Sequence, residues 1–459
     1  MRIRLGGIAL LHILGFAATL TAAGAVDVPR MEQVLQAAAM DNKFMGAVLV
    51  AKGDSILVDK AYGAANLEWN IPNTPQTRFR IGSLTKQFAA AAILLLEERG
   101  KLKLDDPVKN YIPDVPTVWD KITLFNLLTQ TSGIPDYTDA PDFGDTMKLQ
   151  RTPGQLIATV RDKKLDFAPG EKFAYSNSNY VLLSQVIEKA SGESFQKFVQ
   201  DNIFIPLGMK DSGFDSAALM ERRASPYSRR NGTIVNATYI DPSVQVGGGA
   251  ICSTTHDLLI WEKALLGGKL LSPGSAKKML TPFREGRGPG APYKAGYGMG
   301  VYVGATVDGH REIARTGSSA GVVTMMAAYP DDGLFVILLS NSATTPFADI
   351  VSKLSSLGLG KAIVLPDERK PVAFNGKLMS RYAGRYQLRP GFVIEIARDA
   401  DALIARPGSN PAIPLLPESS ASFYGKDPDL QVEFKTARGH VTSLVWHING
   451  DILDAPRLP

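Results

Sequence analysis

The chain has 459 residues, 45% of them hydrophobic and 21% charged, with a formal net charge of +5. This excludes a disordered or fibrous protein and fits a soluble chain of roughly two to three packed domains. The charge excess is too small and too dispersed for a nucleic-acid or membrane-surface protein, and the single cysteine, Cys252, rules out an internal disulfide.

The first residues differ from the rest. Met1 to Arg4 form a basic head, residues 5–20 an apolar middle, and Ala23, Gly24 and Ala25 supply small residues at a cleavage site. A leader over 1–25, cut after Ala25, is expected, with the mature chain periplasmic or secreted. The apolar run is broken by glycines, so no stable membrane insertion is expected once it is removed.

A helix is predicted over 29–40, with Met31, Val34, Leu35 and Ala38 on one face. Strands follow at 46–51 and 55–59 around a Lys52-Gly53-Asp54 turn. Then comes the stretch on which the functional reading turns. Gly82 and Ser83 open a helix whose apolar run, 88–96, is too continuous for a surface element, and Gly100 closes it. Further helices are predicted at 122–128, 181–190, 194–205 and 255–266. Residues 136–170 read as loop-rich, and Gly247 to Ala250 as a flexible turn. Strands at 311–315, 321–329 and 334–340 suit one antiparallel sheet. Beyond a proline-bracketed linker, short strands at 392–398, 402–406, 430–436 and 441–448 predict a small all-β sandwich or barrel. The expected division is 26–365, a linker 366–371, and 372–459.

Ser83 and Lys86 stand three residues apart, on one face of a first helical turn. A serine hydroxyl needs a base, and a lysine serves when burial or a neighbouring cation lowers its pKa. The Ser194–Lys197 and Ser275–Lys278 pairs have the same spacing but no buried helix behind them, and read as surface coincidences. Tyr175-Ser176-Asn177 lies in a loop opening a helix. Lys86 could favour the Tyr175 phenolate, which would then accept the serine proton, while Asn177 would hold Lys86 and donate to a substrate carbonyl. Arg315-Thr316-Gly317-Ser318 ends a predicted strand. Gly317 admits close approach, the N–H groups of Ser318 and Ser83 would form an oxyanion hole, and Arg315 would offer a fixed positive charge to an anionic substrate.

In this order, Ser83-Leu84-Thr85-Lys86, Tyr175-Ser176-Asn177 and Arg315-Thr316-Gly317 resemble the three motifs of the serine β-lactamase and penicillin-binding protein superfamily, in its class C β-lactamase, D,D-carboxypeptidase and esterase branch. The likeness covers roughly residues 30–355, and the segment from 372 onward resembles a small β-domain appended to some members. It implies a mixed α/β fold: an antiparallel sheet flanked by helices, a helical lobe, and a site between them. It also implies an acyl-forming Ser83, with Lys86 and Tyr175 sharing the base role. Asn177, Arg315, Thr316, Gly317 and Ser318 would bind substrate.

Two residues depart from the pattern. Arg315 stands where lysine or histidine is usual, and arginine does not release a proton. Gln130 replaces a frequent histidine in a loop expected to be structural. His256, His310, His440 and His447 fit no metal-ligand spacing, so no metal and no cofactor is expected. The implied activity is hydrolysis of an ester, a D-amino-acid peptide or a β-lactam, with small molecules or peptides, including peptidoglycan-derived ones, as substrates. The rival class is a non-catalytic penicillin-binding-like sensor or cell-wall-binding protein.

Overall fold

The computed structural model describes residues 26–285, 291, 295–374, 379–389, 391–399, 402–449 and 451–459; the expected leader lies outside them. Helix α1 (Val28–Ala39) starts on Asp27, whose carboxylate accepts the Arg30 N–H at 3.0 Å. Strands β1 (Gly46–Lys52) and β2 (Ser55–Tyr62) form the expected hairpin. Helix α2 (Thr85–Glu98) follows, then α3 (Leu124–Leu128), α4 (Pro153–Arg161), α5 (Asn177–Ser191) and α6 (Thr255–Leu266). The chain returns through β3 (Arg284–Glu285), β4 (Gly296–Tyr297), β5 (Tyr302–Ala305), β6 (Arg311–Ser319), β7 (Val322–Tyr329) and β8 (Leu334–Ser340) to α7 (Phe347–Gly358).

These strands make one antiparallel sheet in the order β3-β4-β5-β6-β7-β8-β1-β2, so the first hairpin pairs with the last strand from Gly46↔Ser340 to Lys52↔Leu334. Every residue of β7 and β8 is buried, because helices cover both faces. Alternation along β1 sorts the two cores. Val48 and Val50 pack with α1 and α7, whereas Ala47, Leu49 and Ala51 pack with α2 and α6. Helix α2 is buried without a break from Thr85 to Leu96, as its apolar run demands, and Gly100 at φ +65° lets the chain turn away from its end.

The loop-rich segment 136–170 also holds a helix that the sequence reading did not mark: α4 buries Leu156, Ile157 and Val160. Its start signal is a reciprocal capping box between Thr152 and Gln155 with Pro153 in the first turn.

The C-terminal unit is an eight-stranded meander: β9 (Gly384–Arg389), β10 (Phe392–Asp399), β11 (Ala402–Pro407), β12 (Ile413–Pro417), β13 (Ser422–Lys426), β14 (Asp429–Ala437), β15 (His440–Ile448) and β16 (Asp451–Pro456). A Tyr386↔Arg457 bridge and a Leu458 N–H to Arg385 carbonyl bond of 2.8 Å join its ends, which makes it a barrel rather than a sandwich. Tyr386, Phe423, Phe434 and Trp446 fill its interior.

The barrel meets the first unit through Asp429. Lys353 of α7 bonds both Asp349 and Asp429 at 2.8 Å, and the linker Arg369 lies 3.7 Å from Asp429. These groups are mostly shielded from water, where ion pairs are screened least. Asp429→Ala is therefore expected to loosen the junction, seen as faster tryptic cleavage after Lys361 or Arg369; an unchanged cleavage rate would contradict the contact's role.

Candidate active site

Gly82, at φ +53°, turns the chain into a single 3-10 turn, Gly82–Leu84, that feeds α2. Ser83 thus sits at a helix N-terminus, where the first backbone N–H groups have no intrahelical partner. Lys86, one turn further on, is 1% exposed. Its Nζ lies 3.1 Å from Ser83 Oγ, 2.8 Å from Asn177 Oδ1 and 3.1 Å from the Gly248 carbonyl, while the Tyr175 and Tyr180 rings lie 4.9 and 5.4 Å away. Burial lowers the Lys86 pKa to about 7, against an opposing pull from Asp136. Near neutral pH a large share of the amine is therefore free, and its lone pair can accept the Ser83 hydroxyl proton.

Asn177 is the first residue of α5, and Asp136 fixes its direction. The Asp136 carboxylate accepts the Asn177 backbone N–H at 3.1 Å and its side-chain Nδ2 at 2.8 Å, so Oδ1 faces Lys86. The helix N-terminus favours that anion. Asn177 thus holds Lys86 as expected, but one of its amide hydrogens goes to Asp136 rather than to a substrate. Gln130, at φ +60°, serves structure as expected: its Oε1 accepts the Ser176 N–H at 3.0 Å and Asn179 Nδ2 at 2.6 Å.

Tyr175 lies between these anchors and the cleft. The residue as a whole is 36% exposed, yet burial of its hydroxyl raises the phenol pKa; the Ser83 hydroxyl opposes the rise and Asp136 adds to it. The expected phenolate is therefore reversed: Lys86 sits over the ring face, and Tyr175 is held as a neutral phenol that can donate.

Two glycines let β6 reach the serine turn. A Cβ on Gly317 would fall 2.0 Å from the Ile81 carbonyl, and one on Gly82 would fall 2.9 Å from Ser318 N. The backbone N–H of Ser318 therefore approaches the Ser83 turn, as an oxyanion pair requires. Thr324 Oγ1 pins the contact by donating to the Ile81 carbonyl at 2.9 Å.

Arg315 departs from expectation. It borders the cavity beside Ser83 but is only 2% exposed, and its Nη1 donates to Glu262 Oε2 of α6 at 2.8 Å rather than being left for a substrate anion. Sequence reading missed Glu262, although a carboxylate four residues after Leu258 and three before Leu265 falls on an apolar helix face and calls for a partner. It also missed Asp136, which had no periodic pattern to mark it, and Gly248. The Gly247–Ala250 turn is a fixed wall against Lys86, since a Cβ on Gly248 would come 3.1 Å from Nζ.

Ser83 lies between two cavities of about 420 and 440 Å³. Thr316, Gly317 and Ser318 line the first, and Asn177 the second. The other serine–lysine pairs are apart from both. Ser194 caps a helix by accepting the Lys197 N–H, and Lys278 pairs with Glu97. Ser275, taken as a surface residue, is 5% exposed and bonds to Ser272.

Comparison with known proteins agrees with this geometry. The family described as Beta-lactamase matches residues 31–355, and a domain of unknown function, DUF3471, matches 368–456. A penicillin-binding protein of Bacillus subtilis is 28% identical over 438 residues, covering 91% of this chain and 95% of its own. The octameric penicillin-binding protein homologue from Pyrococcus abyssi superposes with a TM-score of 0.69 at 27% identity, over 94% of this chain and 99% of its own. A D-stereospecific amidohydrolase from Streptomyces sp. does so with a TM-score of 0.64 at 28% identity, over 73% and 100%. The chain belongs to the Beta-lactamase family and is a serine hydrolase of the β-lactamase and D,D-peptidase type.

Proposed function

We propose that the protein cleaves an ester or amide bond through an acyl intermediate on Ser83. The observation that carries this reading is the Lys86 amine, brought to about pH 7 by burial and held 3.1 Å from Ser83 Oγ beside an open cleft. Lys86 takes the hydroxyl proton as Oγ bonds to the substrate carbonyl carbon. The developing oxyanion is met by the Ser83 and Ser318 N–H groups, each such donor being worth about 3 kcal/mol in comparable sites. As the carbon–oxygen or carbon–nitrogen bond breaks, the neutral Tyr175 phenol gives its proton to the leaving group and is replenished from Lys86. A water molecule then repeats the sequence on the acyl-serine, releasing a carboxylic acid. Peptides bearing D-amino acids, including cell-wall fragments, and simple esters are the substrate candidates, and the basic–apolar leader supports export to the periplasm or beyond.

A fluorophosphonate should add mass to a peptide containing Ser83, and Ser83→Ala should abolish the adduct; labelling elsewhere, or none, contradicts the assignment. Tyr175→Phe should lower kcat roughly 10²–10⁴-fold, the range of a lost general acid–base group. A loss confined to KM would make Tyr175 a binding residue only.

The pH dependence follows from sign. Lys86 acts as the free amine, so kcat/KM should rise with pH to a plateau with a midpoint of about 7. The Asp136 anion favours the charged amine, so Asp136→Asn should move that midpoint to lower pH. A midpoint that stays in place or moves upward in the variant would contradict the role given to Asp136.

A further inference from the structure

The two cavities beside Ser83 differ from what a carboxylate-binding cleft requires. Among the described residues lining them, the only charged side chains are Lys86 and Arg315. Lys86 is fully engaged by Ser83, Asn177 and the Gly248 carbonyl. Arg315 borders the first cavity, but its side chain is 1% exposed and its Nη1 is bonded to Glu262, itself 2% exposed. The remaining Nε and Nη2 of Arg315 are sealed from solvent and make no hydrogen bond. A guanidinium keeps its charge under all conditions, so its burial demands a counter-anion, and Glu262 provides one from within the fold. Apart from Ser83, Thr316, Ser318 and two glycines, the rest of the first cavity is aromatic and apolar: Tyr175, Tyr297, Tyr302, Val323 and Phe347.

We propose that this site selects substrates whose leaving group carries no carboxylate, namely esters of neutral alcohols and amides of neutral amines, because the Arg315–Glu262 pair withholds the one permanent cation among the described lining residues. The proposal rests on the acyl-Ser83 reading above. A carboxylate entering the cleft would lose its hydration and find, among the described groups, only a sealed guanidinium whose charge Glu262 already neutralises. A neutral alcohol or amine meets no such penalty against the tyrosine walls. Bond making and breaking are those already given: the leaving group departs with the proton and water supplies the replacement.

The test uses the full-length protein and two esters of one acyl group, phenylacetylglycyl 3-hydroxybenzamide and phenylacetylglycyl 3-hydroxybenzoate, which differ only in the leaving-group carboxylate. The neutral ester is expected to have a kcat/KM at least about tenfold higher. Equal values, or preference for the benzoate, would overturn the proposal while leaving the hydrolase reading intact. Turnover of neither ester by protein that a fluorophosphonate labels at Ser83 would overturn the proposal alone; turnover of neither with no label on Ser83 would remove both. Glu262→Gln supplies the second arm. With its counter-charge gone, Arg315 should attract the carboxylate and reduce the preference about threefold or more. An unchanged preference in folded variant protein would refute the ion pair as its cause. If the variant does not fold, the comparison of the two esters by the native protein still decides.

Discussion

The site depends on one amine being kept dry. Lys86 is held beneath the Ser83 hydroxyl by the wall of α5 on one side and the Gly248 carbonyl on the other. Burial makes the charged form unfavourable, and the nearby Asp136 anion stops that effect from going further. The outcome is a base matched to neutral pH, which a lysine in water is not. The cost of burying a polar amine is offset by three hydrogen-bond partners, and one of those partners is the nucleophile itself.

The fold exists to bring three distant segments to that amine. Helix α2 is apolar on every side, so it lies between the sheet and the helical lobe and carries Ser83 and Lys86 to their boundary. The lobe contributes Asp136, Tyr175 and Asn177, with Gln130 bracing the loop. The sheet contributes β6, and only the absence of side chains at Gly82 and Gly317 allows its backbone to come close enough to supply a donor. The buried Arg315–Glu262 pair ties that strand to α6 from behind. A residue that reads in the sequence as a substrate-facing charge is thus turned inward.

Much of this was legible before any coordinates, and what was missed has a common cause. The apolar run of α2 and the nearly unbroken apolar runs of β1, β7 and β8 are visible in the sequence itself. The three motifs mark Ser83, Lys86, Tyr175 and Asn177 because their residue types are chemically unusual together. Asp136 and Gly248 escaped because each acts through a contact between segments remote in sequence, which no local pattern records. Glu262 and Arg315 were both visible as charges within apolar runs, yet pairing them required knowing that α6 lies under β6. The phenolate expected at Tyr175 failed for a related reason: proximity to a cation was inferred, but the desolvation that outweighs it depends on the packed site. In the C-terminal unit four strands stood out from their turns, while closure into a barrel became evident only through the pairing near Tyr386 and Arg457.

Whether Lys86 is a free amine at the pH of catalysis is read directly by a 15N NMR titration of its Nζ in lysine-labelled protein, assigned by comparison with Lys86→Met. A midpoint of about 7 is expected. A Lys86 signal that stays in the ammonium form up to about pH 10, the ordinary range for lysine, would contradict it.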